Sequence, residues 1–389
     1  MAAANRVLGK GCALLEKVAR LYVTRFLRQY ISTGCLVLLE ERMVQTFEGS
    51  NKGCSLKSVI KVHNPVQFYW KVMTRGDLGL ADAYINGDFS FDDKDKGLEN
   101  LLMILIANRD SNCSLSKMNK KRGRWMPLLK EACLAPARYL FHHVSRQNSL
   151  TEARRNISHH YDLSNEFFSL FMDETMMYSA AVFKKEDEEL KTAQLRKISI
   201  LIEKARITKN HEVLELGCGW GGFAIEVVKQ TGCRYTGITL SKEQVQFSEK
   251  KVKDAGLQFT FFPDERYDEY RRSSDFIKEY IFPGGLLPSL SRVTSAMVAS
   301  SRFSVQHLEN IGIHYYQTLR YWRKTFSEKH SEILALGFDE KFIRTWEYYF
   351  DYCAAGFNSC TLGNYQIVFS RPGNVLEFSD LCKGFPSAY

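Results

Sequence analysis

The sequence has ten cysteines but no Cys-x-x-Cys pair and no cluster with metal-ligand spacing. That excludes the common zinc and iron–sulfur sites, and it leaves the thiols reading as reduced, in a reducing compartment. No apolar run approaches the roughly 20 residues that a membrane-spanning helix needs. The longest, LLMILIA at 101–107, reads as a core helix. The N-terminus does not read as a secretory signal, because Glu16 and several basic residues interrupt its apolar positions. Nor is there a basic stripe with interleaved aromatics, so a nucleic-acid target is not expected. The net charge of +9 is scattered except for KMNKKRGR at 117–124, followed by Trp125. This cluster is a candidate contact for phospholipid headgroups. The expected setting is the cytoplasm, peripheral to a membrane.

What the chain does have is a glycine-rich run, HEVLELGCGWGGFAIEVVKQ, at 211–230. Val213, Leu214 and Leu216 read as a short buried strand, the glycines as a tight loop, and the rest as an amphipathic helix. Loop glycines let the backbone approach a ligand, and the helix start offers free N–H groups. Gly217, Gly219 and Gly222 satisfy the spacing G-x-G-x-x-G. A dinucleotide site would also carry an acid about 20 residues further on, at the end of the next strand. Here that strand, RYTGITLS at 234–241, ends in Thr239, Leu240 and Ser241. The carboxylate sits instead at Glu215, ahead of the glycines, where it can steady a loop holding a sulfonium. S-adenosylmethionine is therefore expected rather than NAD.

With 389 residues, 45% apolar and 25% charged, the chain can bury a sizeable core in two domains. Aromatics reach 13%, which fits an aromatic-lined pocket or an aromatic core. Residues 13–31 carry an apolar stripe (Leu15, Val18, Tyr22, Phe26) at helical spacing. CLVLLEE (35–41) and SLKSVIKVHN (55–64) read as strands, and 68–91 as short helical pieces with glycine turns. Composition places a boundary near 140, dividing an N-terminal domain (1–140) from a second domain (141–389). In the second, 185–207 reads as a charged amphipathic helix leading into the glycine strand. After the second strand–helix unit the alternation fails. Only FTFF, 259–262, is strand-like before the charged stretch 263–282. A full parallel sheet needs about two more units of roughly 30 residues each.

These residues resemble the cyclopropane-fatty-acyl-phospholipid synthases, S-adenosylmethionine-dependent lipid methyltransferases that include the mycolic acid cyclopropane synthases, and look most like plant-type members. The resemblance rests on HYDLSNEFF (160–168), MMYS (176–179), LELGCGWGGF (214–223), GITLSKEQ (237–244), YIFPGGLLPS (280–289) and YYFDYCAAGF (348–357). Residues 62–89 look like the family's N-terminal domain. The resemblance implies a Rossmann-like α/β methyltransferase sheet beside a smaller N-terminal α+β domain that associates with lipid. It implies methylene transfer to the cis double bond of a phospholipid acyl chain, with bicarbonate as base, and it admits a homodimer. The alkene takes the sulfonium methyl, leaving a carbocation on the chain, and loss of a proton closes the ring. Aromatic faces stabilise such a cation by about 0.5–2 kcal/mol each.

By position, Tyr178 and Ser179 match residues lining the family's cofactor pocket, and Glu215, Gly217 and Gly219 match its glycine loop. Thr239, Leu240 and Gln244 fall in the stretch that contacts the ribose side. Tyr315 matches a tyrosine near the bicarbonate, and Cys353 the cysteine often given as the active residue. A neutral thiol, with a pKa near 8.5, is a poor base for this proton, so Cys353 serves as a positional marker. The family segment of the kind CEMIEA, whose glutamate holds bicarbonate, has no counterpart between Gly256 and Pro263. Ala180 stands where many relatives have cysteine. The expected sheet is thus incomplete in the middle, with an internal segment missing near 257–262.

Overall fold

The computed structural model describes residues 2–41, 43–50, 53–111, 163–239, 259–300, 303–370 and 384–389. The basic segment 117–124, the boundary near 140, Leu240 and Gln244 lie outside the described residues. The chain divides into two compact units, 1–147 with 339–355, and 148–338 with 356–389.

In the first unit, helix α1 (Ala2–Tyr30) precedes strands β1 (Cys35–Glu40), β2 (Met43–Glu48) and β3 (Lys57–Val62). Helices α2 (Pro65–Arg75) and α3 (Asp77–Ile85), strand β4 (Phe89–Phe91) and helix α4 (Gly97–Ser111) follow. The sheet runs β2-β1-β3-β4, with β1 parallel to β3 and the other pairs antiparallel. Alternation in β1 turns Leu36 and Leu38 inward, and β3 does the same with Ile60 and Val62. Helix α2 starts where Pro65 fixes φ and the Asn64 side chain accepts the Gln67 N–H. The apolar run 101–107 lies in α4, as its composition implies. Leu101, Leu102 and Ile104 are buried, and wholly buried Asn108 ties the helix to the backbone of Ser32 and Thr33.

The second unit holds α5 (Asn165–Ser169), α6 (Leu190–Lys204), β5 (Glu212–Leu216), α7 (Gly222–Thr231) and β6 (Arg234–Ile238). It continues with β7 (Phe259–Phe261), α8 (Asp264–Tyr270), a π-helical turn (Ile277–Ile281), α9 (Leu290–Ser300) and β8 (Ser304–Asn310). Helices α10 (Gly312–Glu328) and α11 (His330–Ala335) and strand β9 (Gly363–Ser370) complete it. Helix Glu340–Asn358 belongs to the first unit through Ala355.

The second unit's sheet is in two pieces among the described residues. Strands β5 and β6 pair in parallel, and β7-β9-β8 form an antiparallel group. Strand β7 therefore belongs with the C-terminal strands rather than with the glycine-loop pair. On one face of β5–β6, Ile198, Ile202, Phe223, Ala224, Val227 and Tyr235 make a core with Val213. Among the described residues no layer covers the other face: Leu214, Leu216 and Ile238 are 56%, 51% and 49% exposed. The glycine strand is thus half-buried, not buried as its apolar run implies. Helices α6 and α7 cover one face only, so side-chain alternation leaves every second residue in solvent.

Candidate functional site

The site is built from the bottom of β5 upward. Glu215 faces the covered side of the sheet, and its carboxylate accepts a hydrogen bond from the buried Tyr235 hydroxyl on β6. Burial lifts its pKa to about 8, against the opposing pull of Tyr235 and of the Lys197 ammonium. At neutral pH the residue therefore holds a proton, where sequence alone suggests a carboxylate.

Beyond Glu215 the chain turns through Gly217 (φ +86°), Gly219 (φ +54°) and Gly221 (φ +80°). These are left-handed conformations that an L side chain adopts only with strain. The Gly217 N–H donates to the Ile238 carbonyl at 2.6 Å and the Cys218 N–H to the same oxygen at 3.1 Å. The turn is therefore pinned to the end of β6, and Thr239 follows immediately. Among the described residues, a Cβ added at Gly217 or Gly219 would meet nothing within 4 Å, so both glycines border open ground. A Cβ at Gly222 would lie 2.3 Å from the Thr175 carbonyl oxygen, so close packing of α7 on the 175–177 segment requires that glycine. A left-handed Gly232 ends α7, its N–H donating to the Val228 carbonyl at 2.8 Å.

Tyr178 and Ser179 lie on an irregular segment held from both sides. From α6, the Gln194 amide donates to the Met177 carbonyl (3.2 Å) and the Ser179 carbonyl (2.9 Å). The wholly buried Lys197 donates to Ser179 Oγ and to Gln194 Oε1, both at 2.7 Å. From α10, Thr318 Oγ1 accepts the Ala181 N–H at 3.0 Å. The Tyr178 ring stacks on Trp322 at 5.1 Å and meets Phe168 edge-on at 5.4 Å. Phe168 in turn packs 4.9 Å from Trp220 of the glycine loop, whose indole N–H donates to Asn165 Oδ1 at 2.7 Å. The HYDLSNEFF run thereby reaches the loop through Asn165 and Phe168.

The structure places Tyr178, Ser179, Glu215, Gly217, Gly219 and Thr239 around one corner of the second unit. Tyr315 on α10 sits 6.2 Å from Trp322 and 4.6 Å from Phe357, ring to ring. Cys353 is half-buried on helix Glu340–Asn358, in the first unit. Sequence reading missed Gln194, Lys197 and the Trp220–Asn165 pair. A signal for Lys197 exists: it occupies the apolar stripe of α6, beside Ala193 and Ile198, where a solvated lysine does not belong.

The mycolic acid cyclopropane synthetase family matches this sequence over residues 148–261 and 260–367. The chain belongs to that family. Among curated relatives, tuberculostearic acid methyltransferase UfaA1 of Mycobacterium tuberculosis is 29% identical over 373 aligned positions, covering 80% of this chain and 83% of that protein. The cyclopropane-fatty-acyl-phospholipid synthase of Escherichia coli is 27% identical over 358 positions, covering 80% of this chain and 87% of its own length. Among solved structures, the cyclopropane synthase MmaA2 of M. tuberculosis aligns with a TM-score of 0.51 and 23% identity, over 56% of this chain and 98% of that one. Coclaurine N-methyltransferase aligns at 0.53 and 17% identity, over 76% and 99%. The two structures show the fold, an α/β methyltransferase. The family match and the fold make this chain an S-adenosylmethionine-dependent methyltransferase, of the family that the six motifs point to.

Proposed function

We propose that the chain transfers a methylene group from S-adenosylmethionine to a cis double bond in a phospholipid acyl chain, forming a cyclopropane ring. The observation that carries this is the open ground over Gly217 and Gly219, bordered by the segment bearing Tyr178 and Ser179. Those residues would hold the cofactor, which supplies an activated methyl group when bound. Glu215, protonated without a ligand, is placed to ionise beside a bound positive charge. The half-buried Tyr178 ring, braced by buried Phe168 and Trp322, would be the aromatic surface available to a cationic chain. The carboxylate with which the family holds bicarbonate has no counterpart between Gly256 and Pro263, so the residues there do not fit a bicarbonate site. The reading places the protein in the cytoplasm at a membrane surface; among the described residues no helix is long and apolar enough to cross a membrane.

A second reading, a non-catalytic lipid-binding relative or splice form, is favoured by three observations. The family match falls in two stretches that meet at 260–261. An alignment of 373 positions that takes in 80% of 389 residues leaves about 60 positions opposite a gap in this chain. Among the described residues the sheet is in two pieces, with β6 in one and β7 in the other.

Mass spectrometry of vesicles containing a cis-monounsaturated phospholipid, incubated with the folded chain and S-adenosylmethionine, separates the readings. Lipids heavier by one CH2 support methylene transfer. An unchanged lipid profile supports the non-catalytic form.

A further inference from the structure

We propose that Lys197, together with Gln194, is a positioning residue for the cofactor, acting through the Tyr178–Ser179 segment; this rests on the cofactor site proposed above. Lys197 is the residue on α6 whose charge has no structural reason to be buried. Its neighbours on the buried face, Ala193, Ile198 and Ile202, build the core. An apolar residue there would add to that core, because replacing a buried charge by a hydrophobe of similar volume is often neutral or stabilising. The ammonium instead spends its hydrogen bonds on Ser179 Oγ and Gln194 Oε1.

Gln194 in turn faces its amide N–H groups toward the carbonyls of Met177 and Ser179. Two side chains one helical turn apart thus hold three oxygens of a segment that has no regular secondary structure of its own. The same ammonium is attracted to Asp173, and to Glu215 once that carboxyl ionises, so it links the Tyr178–Ser179 segment to the carboxyl beneath the glycine loop. Asp173 Oδ1 is buried with no hydrogen-bond partner among the described residues, and the attraction of Lys197 offsets part of that cost. Burial disfavours the Lys197 charge and depresses its pKa to about 7, against the opposing pull of Asp173 and Glu215.

The test is a double-mutant cycle on S-adenosylmethionine affinity, read by calorimetry on the full chain, with K197M, S179A and the pair. If Lys197 acts through Ser179, each single variant loses about tenfold in affinity and the double variant loses no more than either. Losses that multiply in the double variant overturn the proposal, as does unchanged affinity in folded K197M. Where K197M is not recovered folded, Q194M, which frees the Met177 and Ser179 carbonyls, is titrated in its place: a loss of about tenfold supports the hold of α6 on the segment, and unchanged affinity in folded Q194M overturns it. Failure of the unaltered chain to bind the cofactor overturns the site itself, which distinguishes that failure from a failure of Lys197 alone.

Discussion

The indole N–H of Trp220 donates to Asn165 Oδ1 at 2.7 Å, tying the glycine loop to a side chain 55 residues earlier. Trp220 is 2% exposed, so its N–H has no ready access to water if Asn165 is lost. N165A should lower stability by about 1–3 kcal/mol, the cost of leaving a buried donor unpaired. W220F removes the buried donor itself, and the half-buried Asn165 amide can turn to water, so its cost should be mainly that of the lost ring area. Urea midpoints of the two variants check this, and equal stability of N165A and parent would show that the contact does not hold the loop.

The loop glycines divide by what a methyl group would meet. At Gly222 it would strike the Thr175 carbonyl, so G222A should destabilise the fold, by about 1–3 kcal/mol in the overpacking range. At Gly219 it would enter open space at a positive φ, so G219A should fold with a cost of about 1 kcal/mol yet lose most cofactor affinity. Thermal unfolding and cofactor titration on the two variants read the contrast. Full binding by G219A would mean that the open ground over the loop is not the cofactor's.

Glu215 gives the fold a pH dependence of definite sign. Its folded pKa of about 8 lies above the ordinary value of 4.5 because burial disfavours the charge. The stability it contributes is complete below 4.5 and is lost as pH rises through the folded value. Lys197 has the opposite sign: burial lowers it from 10.5 to about 7, so its contribution is present above 10.5 and lost as pH falls through 7. Between about pH 5 and 7 the Glu215 loss therefore dominates their balance. E215Q should remove the decline in that window, seen as a flatter plot of urea midpoint against pH. A parallel decline in E215Q would place the effect on another group.

The bare face of β5–β6 makes a prediction about surface leucines. Leu216 is 51% exposed, so L216T should change stability by less than about 0.5 kcal/mol. On the covered side Ile198 is wholly buried, and I198A should cost about 2–5 kcal/mol. Similar losses in the two variants would show that a further layer covers the leucines.

Sequence made the glycine loop legible because its strand, glycines and amphipathic helix are contiguous, and local conformation dictates all three. The same holds for β1 and β3, whose alternation is written into 35–41 and 55–64. Strand β2 escaped, because MVQTFE carries no clear alternation and forms only by pairing with β1. The incomplete sheet could be foreseen from the failed strand–helix rhythm after β6. The exposure of Leu214 and Leu216 could not, since an apolar run does not say which of its faces has a neighbour. In the site, Tyr178 and Ser179 came from the motif resemblance. Lys197, Gln194, Trp220 and Asn165 act through partners 15 to 55 residues away, which no local spacing encodes.

The most direct measurement is a calorimetric titration of the unaltered chain with S-adenosylmethionine, S-adenosylhomocysteine and NAD in turn. The glycine loop, with Glu215 beneath it and no acid at the end of β6, predicts saturable one-site binding of the two S-adenosyl compounds and none of NAD. Binding of NAD, or of none of the three by a folded chain, would contradict it.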